Sequence, residues 1–476
     1  MSRPLYVPAT AAAELDLLGL AHTGPVHFMG VCGAGMSSLA EYVLRAGGHA
    51  TGCDTKPASV APGLAALGFE VEQGHDPSHV ETAKAVVVTA AVPDRHPELE
   101  AARSRDIPIL KRAVALGSVV NAGRVIAVAG THGKTTTTGM IAITLAEAAL
   151  DPTAFVGGRM PGWRGGLRPG GALFVVEADE YDRSFLSLRP EMAVVTTIEP
   201  DHMEIYGDTQ TLQDAFAEFL TPVPEGGLIA ICTDDPGAAA LADRVPQGRA
   251  LTYGLEPPAR LQAVRLHAHA TGTRFHVVRD GEMVGEYRIR VPGRHNVRNA
   301  LATLAVALHA GAAPDAARVG LERFTGVERR FQRLGEPGGV LVIDDYAHHP
   351  TEVRVTLEAA RERFPARRLV AVFQPHLYSR TRDHWRWFGE VLAAADAVWV
   401  TDVFPARENP IEGVTGELVA NAVREAGAPV RYVPRVTDVE DALLGWLEPG
   451  DVCVLMGAGD IDDHARSLVK RLGADR

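Results

Sequence analysis

Apolar residues along this chain come in short runs that end in glycine or an acidic residue, separated by stretches whose apolar positions recur every three or four residues. That alternation predicts buried strands followed by amphipathic helices, the arrangement of a parallel sheet covered on both faces. The run VHFMG from Val26 leads through a glycine loop into a predicted helix with Met36, Leu39, Ala40, Val43 and Leu44 on one face. ATGCD from Ala50, VVVTA from Val86 and IPIL from Ile107 read as further strands. The pattern restarts at RVIAVAG from Arg124, with a helix predicted over Met140 to Leu150 and strands at LFVVE from Leu173 and AVVTT from Ala193. RFHVVRDGEMVGEYRIRV, from Arg274, predicts two strands joined by a turn at Asp280-Gly281. A third restart near Arg329 carries VLVIDD, RLVAVFQ, AVWVTD and DVCVLMGAG. Pro161 to Gly171, rich in glycine and proline, reads as a surface loop.

Three restarts predict an α/β protein of three domains, each built on a largely parallel sheet, over residues 1–122, 123–327 and 328–476. The length of 476 residues agrees, being too great for one hydrophobic core. A composition 46% hydrophobic and 22% charged is that of a soluble globular protein, and a formal net charge of -12 argues against nucleic acid as a partner. No stretch approaches the roughly 18 apolar residues of a membrane helix, and the first 25 residues lack a secretory leader, so a cytoplasmic location without membrane contact is expected. The four cysteines, Cys32, Cys53, Cys232 and Cys453, show no CxxC spacing; packing roles are expected, with neither a disulfide framework nor a zinc site.

Ligands of open α/β sheets sit outside the carboxyl ends of the strands, so the chemistry is sought there. AGTHGKTTTT, from Ala129, follows one strand end. It is an imperfect Walker A loop, since Val128 stands where the first glycine belongs. Gly130 and Gly133 free backbone N–H groups to face phosphate oxygens, and the following helix N-terminus adds about half a positive charge. Lys134 supplies a compact ammonium and Thr135 a hydroxyl suited to Mg²⁺. The lysine stands out because the chain has only five lysines among 47 basic residues. Another strand ends in Glu177 and runs on through Asp179, Glu180 and Asp182, while Asp201 and His202 follow a third. Oxygen ligands at strand ends beside a phosphate loop suit a hard cation. Gly30, Gly33 and Gly35 also follow a strand, with Asp54 ending the next. Their G-x-x-G-x-G order differs from the G-x-G-x-x-G of dinucleotide-dependent oxidoreductases, the rival reading.

Taken together, GVCGAGMSSLAEY, AGTHGKTTT, EADEYDRSF, IEPDHMEIYGD, GRHNVRNALA, RRFQ, DDYAHHPTE, FQPHLYSRT, DVFPARENPIEGV and GAGD, in this order over nearly the whole chain, resemble the Mur ligase family. The resemblance implies Rossmann-like N- and C-terminal domains around a central P-loop ATPase-like domain. It also implies ATP-dependent joining of L-alanine to the lactyl carboxylate of UDP-N-acetylmuramate through an acyl phosphate, in peptidoglycan synthesis, with recycling of a preformed tripeptide onto the same sugar as the alternative. By the same resemblance the UDP-sugar would meet Gly30, Gly33, Ala34, Gly35, Met36, Ser37 and Asp54. ATP would meet Gly130, Thr131, His132, Gly133, Lys134, Thr135 and Thr136, with Asn296, Asn299, Arg330 and Asp345. Mg²⁺ would be held by Thr135, Glu177 and His202. Tyr346, His348, His376 and Arg380 would serve the amino acid and the intermediate. Lys134, His202, Arg330 and His348 would be catalytic, His348 or His349 accepting the proton of the amine. Sister ligases carry a carbamylated lysine at the metal, which this chain cannot, having no lysine between Thr135 and Val469. Asp214 or Glu218 is the expected substitute. Leu377 and Tyr181 stand where the family often has arginine and serine.

Overall fold

The apolar runs assemble into three sheets in a computed structural model that describes residues 6–89, 92–269, 271–406 and 408–474. The first sheet has five parallel strands in the order Glu72–Gln73, Ala50–Asp54, Val26–Met29, Ala85–Val88, Ile109–Lys111. Val26–Met29 thus lies at the point where the strand order reverses, and the loop after it opens at the carboxyl edge of the sheet. Ala90, the last residue of the expected strand VVVTA, and Arg407, within DVFPARENPIEGV, lie outside the described residues.

The second sheet has ten strands. Its parallel centre places Arg124–Ala129 between Leu173–Ala178 and Met192–Val195, so the phosphate loop is flanked by the two strands that end in acidic segments. Leu228–Cys232 and Ala250–Gly254 extend this centre. The expected turn is present: Asp280 and Gly281 both take positive φ, 50° and 87°, between Gly272–Arg279 and Glu282–Ile289. Two expectations need correcting. The helix begins at Lys134 and runs to Glu147, six residues ahead of the start expected at Met140. Its β-branched Thr137 and Thr138 are fully buried, so tertiary packing overrides their weak helix propensity. The segment from Pro161 to Gly171 is also not all loop, because Leu167–Arg168 pairs antiparallel with Thr153–Phe155.

By contact density the chain forms two compact units, one of residues up to 265 with 275–288 and 298–325, the other of 266–274, 289–297 and 326 onward. In the first unit a single apolar cluster runs from Phe28, Leu39 and Val43 to Phe155, Phe174 and Val176, so the first two sheets share a core. Tyr42 is the hinge of that packing, its ring 5.5 Å from Phe155 and 6.0 Å from Phe174. The second unit holds the third sheet, ordered Gln332–Gly335, Leu341–Asp345, Val452–Met456, Leu369–Phe373, Ala397–Val400, Val430–Tyr432, parallel except at its first pair. Separate apolar clusters cover its two faces.

Leu341–Asp345 ends in two buried carboxyls. Burial pushes Asp344 up to about 7, against the pull of Arg329, whose Nε is 3.9 Å away. A carboxyl raised in the fold contributes stability in its protonated form, complete below the unfolded carboxyl range and lost as the pH rises toward 7. Asp344→Asn, neutral throughout, is therefore expected to gain on the parent protein as the pH is raised from 5 to 8. Thermal unfolding across that range checks this, at about 2–4 °C for each kcal/mol; a constant difference in Tm would contradict it.

Candidate active site

The phosphate loop is held by the strand end beside it. Thr131 donates its N–H to the Thr197 carbonyl at 2.9 Å, His132 donates to Thr197 Oγ1 at 2.9 Å, and the Thr196 hydroxyl donates to the His132 carbonyl at 2.5 Å. Thr131 Oγ1 accepts from the Glu199 N–H at 2.9 Å. The loop passes so close to this strand that a Cβ on Gly130, whose φ is 132°, would lie 2.1 Å from Thr196 Oγ1. Gly133, at φ 83°, turns the chain into the helix, and Asn299 stands beside it, with Oδ1 3.1 Å from where a Cβ would be. The structure thus brings Gly130, Thr131, His132, Gly133 and Asn299 to one place, and the Thr196-Thr197 clamp beside them is what sequence reasoning missed.

Lys134 reaches back over its own loop. Its ammonium donates to the Gly130 carbonyl at 2.6 Å and to both oxygens of Glu180, at 3.0 and 2.7 Å. Burial alone would lower the pKa of this lysine; Glu180, helped by Asp179 and Glu177, more than reverses that and holds it above its ordinary value. Glu180 is 2% exposed and is itself fixed by Tyr206, whose hydroxyl donates to the Glu180 carbonyl at 2.5 Å. The acidic run was visible in the sequence, but nothing in it singled out Glu180 as the partner of the lysine.

Thr135 Oγ1 donates to Glu177 Oε2 at 3.1 Å, and Glu177 Oε1 accepts from the Gly157 N–H. A hydroxyl and a carboxylate in contact at the mouth of a phosphate loop are the hard oxygen donors that Mg²⁺ takes, so these residues fit that ion. Asp182 is drawn elsewhere, to Lys111. His202 has a left-handed backbone, φ 56°, and packs against the Tyr181 ring at 5.0 Å with Asp201 Oδ2 3.7 Å from Nε2. Tyr181, the departure from serine, therefore seats His202. The expected substitutes for a carbamylated lysine point to other partners: Asp214 accepts from Arg244 at 2.7 Å, and Glu218 lies 3.8 Å from Arg183.

In the first sheet, Gly30 has φ 74° and accepts at its carbonyl from the Gly33 N–H at 3.2 Å, forming the turn into the helix Ala34–Arg45. The helix includes Gly35 and Met36, and the Ser37 hydroxyl donates to the Val31 carbonyl at 2.6 Å. Asp54 accepts from the N–H of Cys32 at 3.0 Å and of Lys56 at 2.9 Å. That acid pins the glycine loop from the neighbouring strand.

The remaining candidates belong to the second unit. Asn296 donates to the Pro292 carbonyl at 2.6 Å. Asp345 accepts from the N–H groups of Phe331 and Ala347 at 2.7 and 2.8 Å, and burial raises it to about 6 despite Arg330. Arg330 lies between two residues in left-handed conformation, Arg329 at φ 60° and Phe331 at φ 51°. Its guanidinium sits 5.0 Å over the Tyr346 ring and 3.8 Å from Glu352. Tyr346, His348 and His376 form a continuous row, with ring centroids 5.2 and 5.7 Å apart. His348 Nδ1 is 2.9 Å from the Tyr346 carbonyl and 3.1 Å from Glu352, the member of this group that sequence reasoning missed. His349 instead caps the helix Pro350–Arg363, accepting at Nδ1 from the Thr351 N–H, and is buried against His384 and Trp387. Arg380 stands on the helix Tyr378–Leu392, which opens at Leu377 with φ 70°.

Three family models match the chain: Mur ligase family, catalytic domain, over residues 25–124; Mur ligase middle domain, over 128–307; and Mur ligase, glutamate ligase domain, over 329–459. The UDP-N-acetylmuramate--L-alanine ligases of Salinibacter ruber and Acidothermus cellulolyticus are each 44% identical, over 94% and 93% of this chain and 95% and 93% of their own lengths. Among solved structures, the UDP-N-acetylmuramate-alanine ligase of Thermotoga maritima superposes with TM-score 0.83 at 29% identity, covering 95% of this chain and all of the other. A murein peptide ligase of Psychrobacter arcticus superposes with TM-score 0.70 at 26% identity, covering 94% and 99%. Matched by the family's models over 25–124, 128–307 and 329–459 and by relatives 44% identical along more than nine-tenths of its length, the chain belongs to the Mur ligase family.

Proposed function

We propose that this protein joins L-alanine to the lactyl carboxylate of UDP-N-acetylmuramate at the expense of ATP, in peptidoglycan synthesis. The observation that carries this reading is a phosphate loop with a half-buried, charged lysine in a chain 42–44% identical to alanine-adding ligases over more than nine-tenths of its length. A carboxylate does not condense with an amine in water. Transfer of the γ-phosphoryl group from ATP to the carboxylate oxygen expels ADP and gives an acyl phosphate. The alanine nitrogen then attacks the acyl carbon, phosphate leaves, and the nitrogen gives up a proton.

The residues divide these tasks. With the N–H groups of Thr131 and His132 given to Thr197, those at the turn from Gly133 into the helix through Thr136 receive the ATP phosphates, beside the side chains of Thr131 and His132, and Lys134 follows the phosphoryl group as its charge moves. Glu180 keeps that ammonium charged in a buried place. Thr135 and Glu177 are the ligands proposed for Mg²⁺, with His202 near it; the ion screens the carboxylate and triphosphate from each other when bound. Screening matters here because Glu177 and Asp179 stand in the same short segment as the paired Glu180, and they would repel a bare triphosphate. Asn296, Asn299 and Asp345 are assigned to the nucleotide, and Arg330 to the developing charge on phosphate. The loop from Gly30 to Ser37, pinned by Asp54, is assigned to the UDP-sugar. His348, with the carboxylate of Glu352 beside it, is assigned the proton of the amine; Tyr346, His376 and Arg380 are assigned to the amino acid and the intermediate. The domains proposed to carry these roles are 1–122, 123–327 and 328–476.

Phosphate release from ATP in the presence of UDP-N-acetylmuramate is expected to depend on L-alanine and to exceed that with glycine, L-serine or a tripeptide; absence of acceptor-dependent turnover would defeat the reading. Lys134→Arg is expected to lose about 10²-fold or more in kcat, because a planar fork cannot meet both the Gly130 carbonyl and Glu180 as the ammonium does. The affinity for UDP-sugar, measured by calorimetry, should change little. Glu177→Gln is expected to raise the Mg²⁺ concentration for half-maximal turnover about tenfold or more. An unchanged Mg²⁺ dependence would remove Glu177 from the metal.

A further inference from the structure

On the first sheet, four buried or half-buried side chains from four elements converge, none of them a residue assigned above to substrate or nucleotide. His27 comes from Val26–Met29, Cys53 from Ala50–Asp54, His79 from the short turn Pro77–Val80, and Glu98 from the first turn of Pro97–Ser104. Each offers one ligand atom, and the four atoms lie within 4.8 Å of one another. Cys53 packs in an apolar cluster as expected of the cysteines, and its Sγ also lies 3.4 Å from Glu98 Oε1. We infer that His27, Cys53, His79 and Glu98 bind one structural Zn²⁺.

His27 supplies the observation that separates a metal site from a polar network closed on itself. Its side chain is fully buried, Nδ1 is 2.9 Å from Thr51 Oγ1, and Nε2 has no hydrogen-bond partner among the described residues. With the Nδ1 proton given to Thr51, Nε2 is left with a buried lone pair in a cluster whose ligand atoms lie within 4.8 Å of one another. An imidazole fixed by a hydroxyl on one nitrogen and open on the other is how metal-binding histidines are oriented. A buried nitrogen left without a partner would otherwise cost stability.

The rest of the cluster is arranged in the same way. Glu98 is fully buried and accepts from the Asp76 N–H at 3.1 Å, with His79 Nδ1 2.7 Å from Oε1. His79 is steadied at its other nitrogen by Glu72, 2.9 Å away. His75 Nδ1 is 3.2 Å from both Cys53 Sγ and Glu98 Oε2, so it backs the site from the half-exposed side. Tetrahedral Zn²⁺, with bonds of about 2.0–2.3 Å, sets its donor atoms about 3.3–3.8 Å apart. The cluster needs to contract by about 1 Å to meet that geometry. One thiolate and one carboxylate neutralise the dication, and two neutral imidazoles complete the shell, so the loaded site carries no net charge into the interior. Sulfur and imidazole donors favour Zn²⁺ over Mg²⁺. Loading breaks the Cys53 S–H bond, forms the S–Zn bond, and releases to solvent both that proton and the one His79 Nδ1 shares with Glu98. Four protein ligands leave no open position, so the role is to tie together two strands, a turn and a helix start.

The test uses the untagged full chain, stripped with chelator and titrated with Co²⁺ in the presence of excess Mg²⁺. One equivalent of Co²⁺ is expected to produce a thiolate-to-metal charge-transfer band and strong tetrahedral d–d absorption, both abolished by one equivalent of Zn²⁺. Cys53→Ser should remove the charge-transfer band while Cys232→Ser retains it. Should Cys53→Ser fail to fold, the parent protein still decides: saturating Zn²⁺ should raise Tm by about 5 °C with release of protons to solvent. Absence of the thiolate band in the parent protein, its survival in a folded Cys53→Ser, or binding of Co²⁺ only in its octahedral form would overturn the assignment.

Discussion

A cation buried among carboxylates is costly unless something holds it, and the phosphate loop is organised around that requirement. Lys134 is drawn back onto the Gly130 carbonyl and both oxygens of Glu180. Losing one partner of such a buried pair costs about 3–5 kcal/mol, because the other charge is left uncompensated. Glu180 must therefore be placed as accurately as the lysine. Tyr206 does this by bonding the Glu180 carbonyl, and the helix beginning at Lys134 must start where it does to deliver the side chain. Thr196 and Thr197 clamp the loop backbone from which the lysine side chain departs.

The second unit shows a comparable economy. Asp345 accepts the N–H groups of Phe331 and Ala347, which fixes the chain on either side of the Arg330 and Tyr346 pair. Left-handed backbone at Arg329 and Phe331 is unusual for residues with a Cβ, and such strain persists only where the surroundings impose it. Here it seats Arg330 over Tyr346, beside the row of His348 and His376. His349, by contrast, caps its helix through Nδ1, while His348 stands beside Glu352 in the aromatic row.

The parallel strands were legible because buried strands read as unbroken apolar runs ending in glycine or acid, as at Arg124–Ala129 and Leu341–Asp345. The helix start at Lys134 was not, since propensity counts against a threonine run and only burial of Thr137 and Thr138 reverses it. Lys134, Thr135 and Glu177 could be singled out by their places after strand ends. Glu180 could not be told from Asp182, whose partner Lys111 lies 71 residues away along the chain. The His27, Cys53, His79 and Glu98 group left no trace in spacing, because its members come from four elements that only the sheet order brings together.

The shared core of the first two sheets also constrains how this sequence can drift. Tyr42 lies on a helix of the first sheet, yet its ring packs on Phe155 and Phe174 of the second. A larger or smaller side chain at any of the three must be answered by a change more than 100 positions away along the chain. The two sheets are thus bound in their history as well as in space, and a replacement of one by a homologous copy would succeed only if these three rings travelled together.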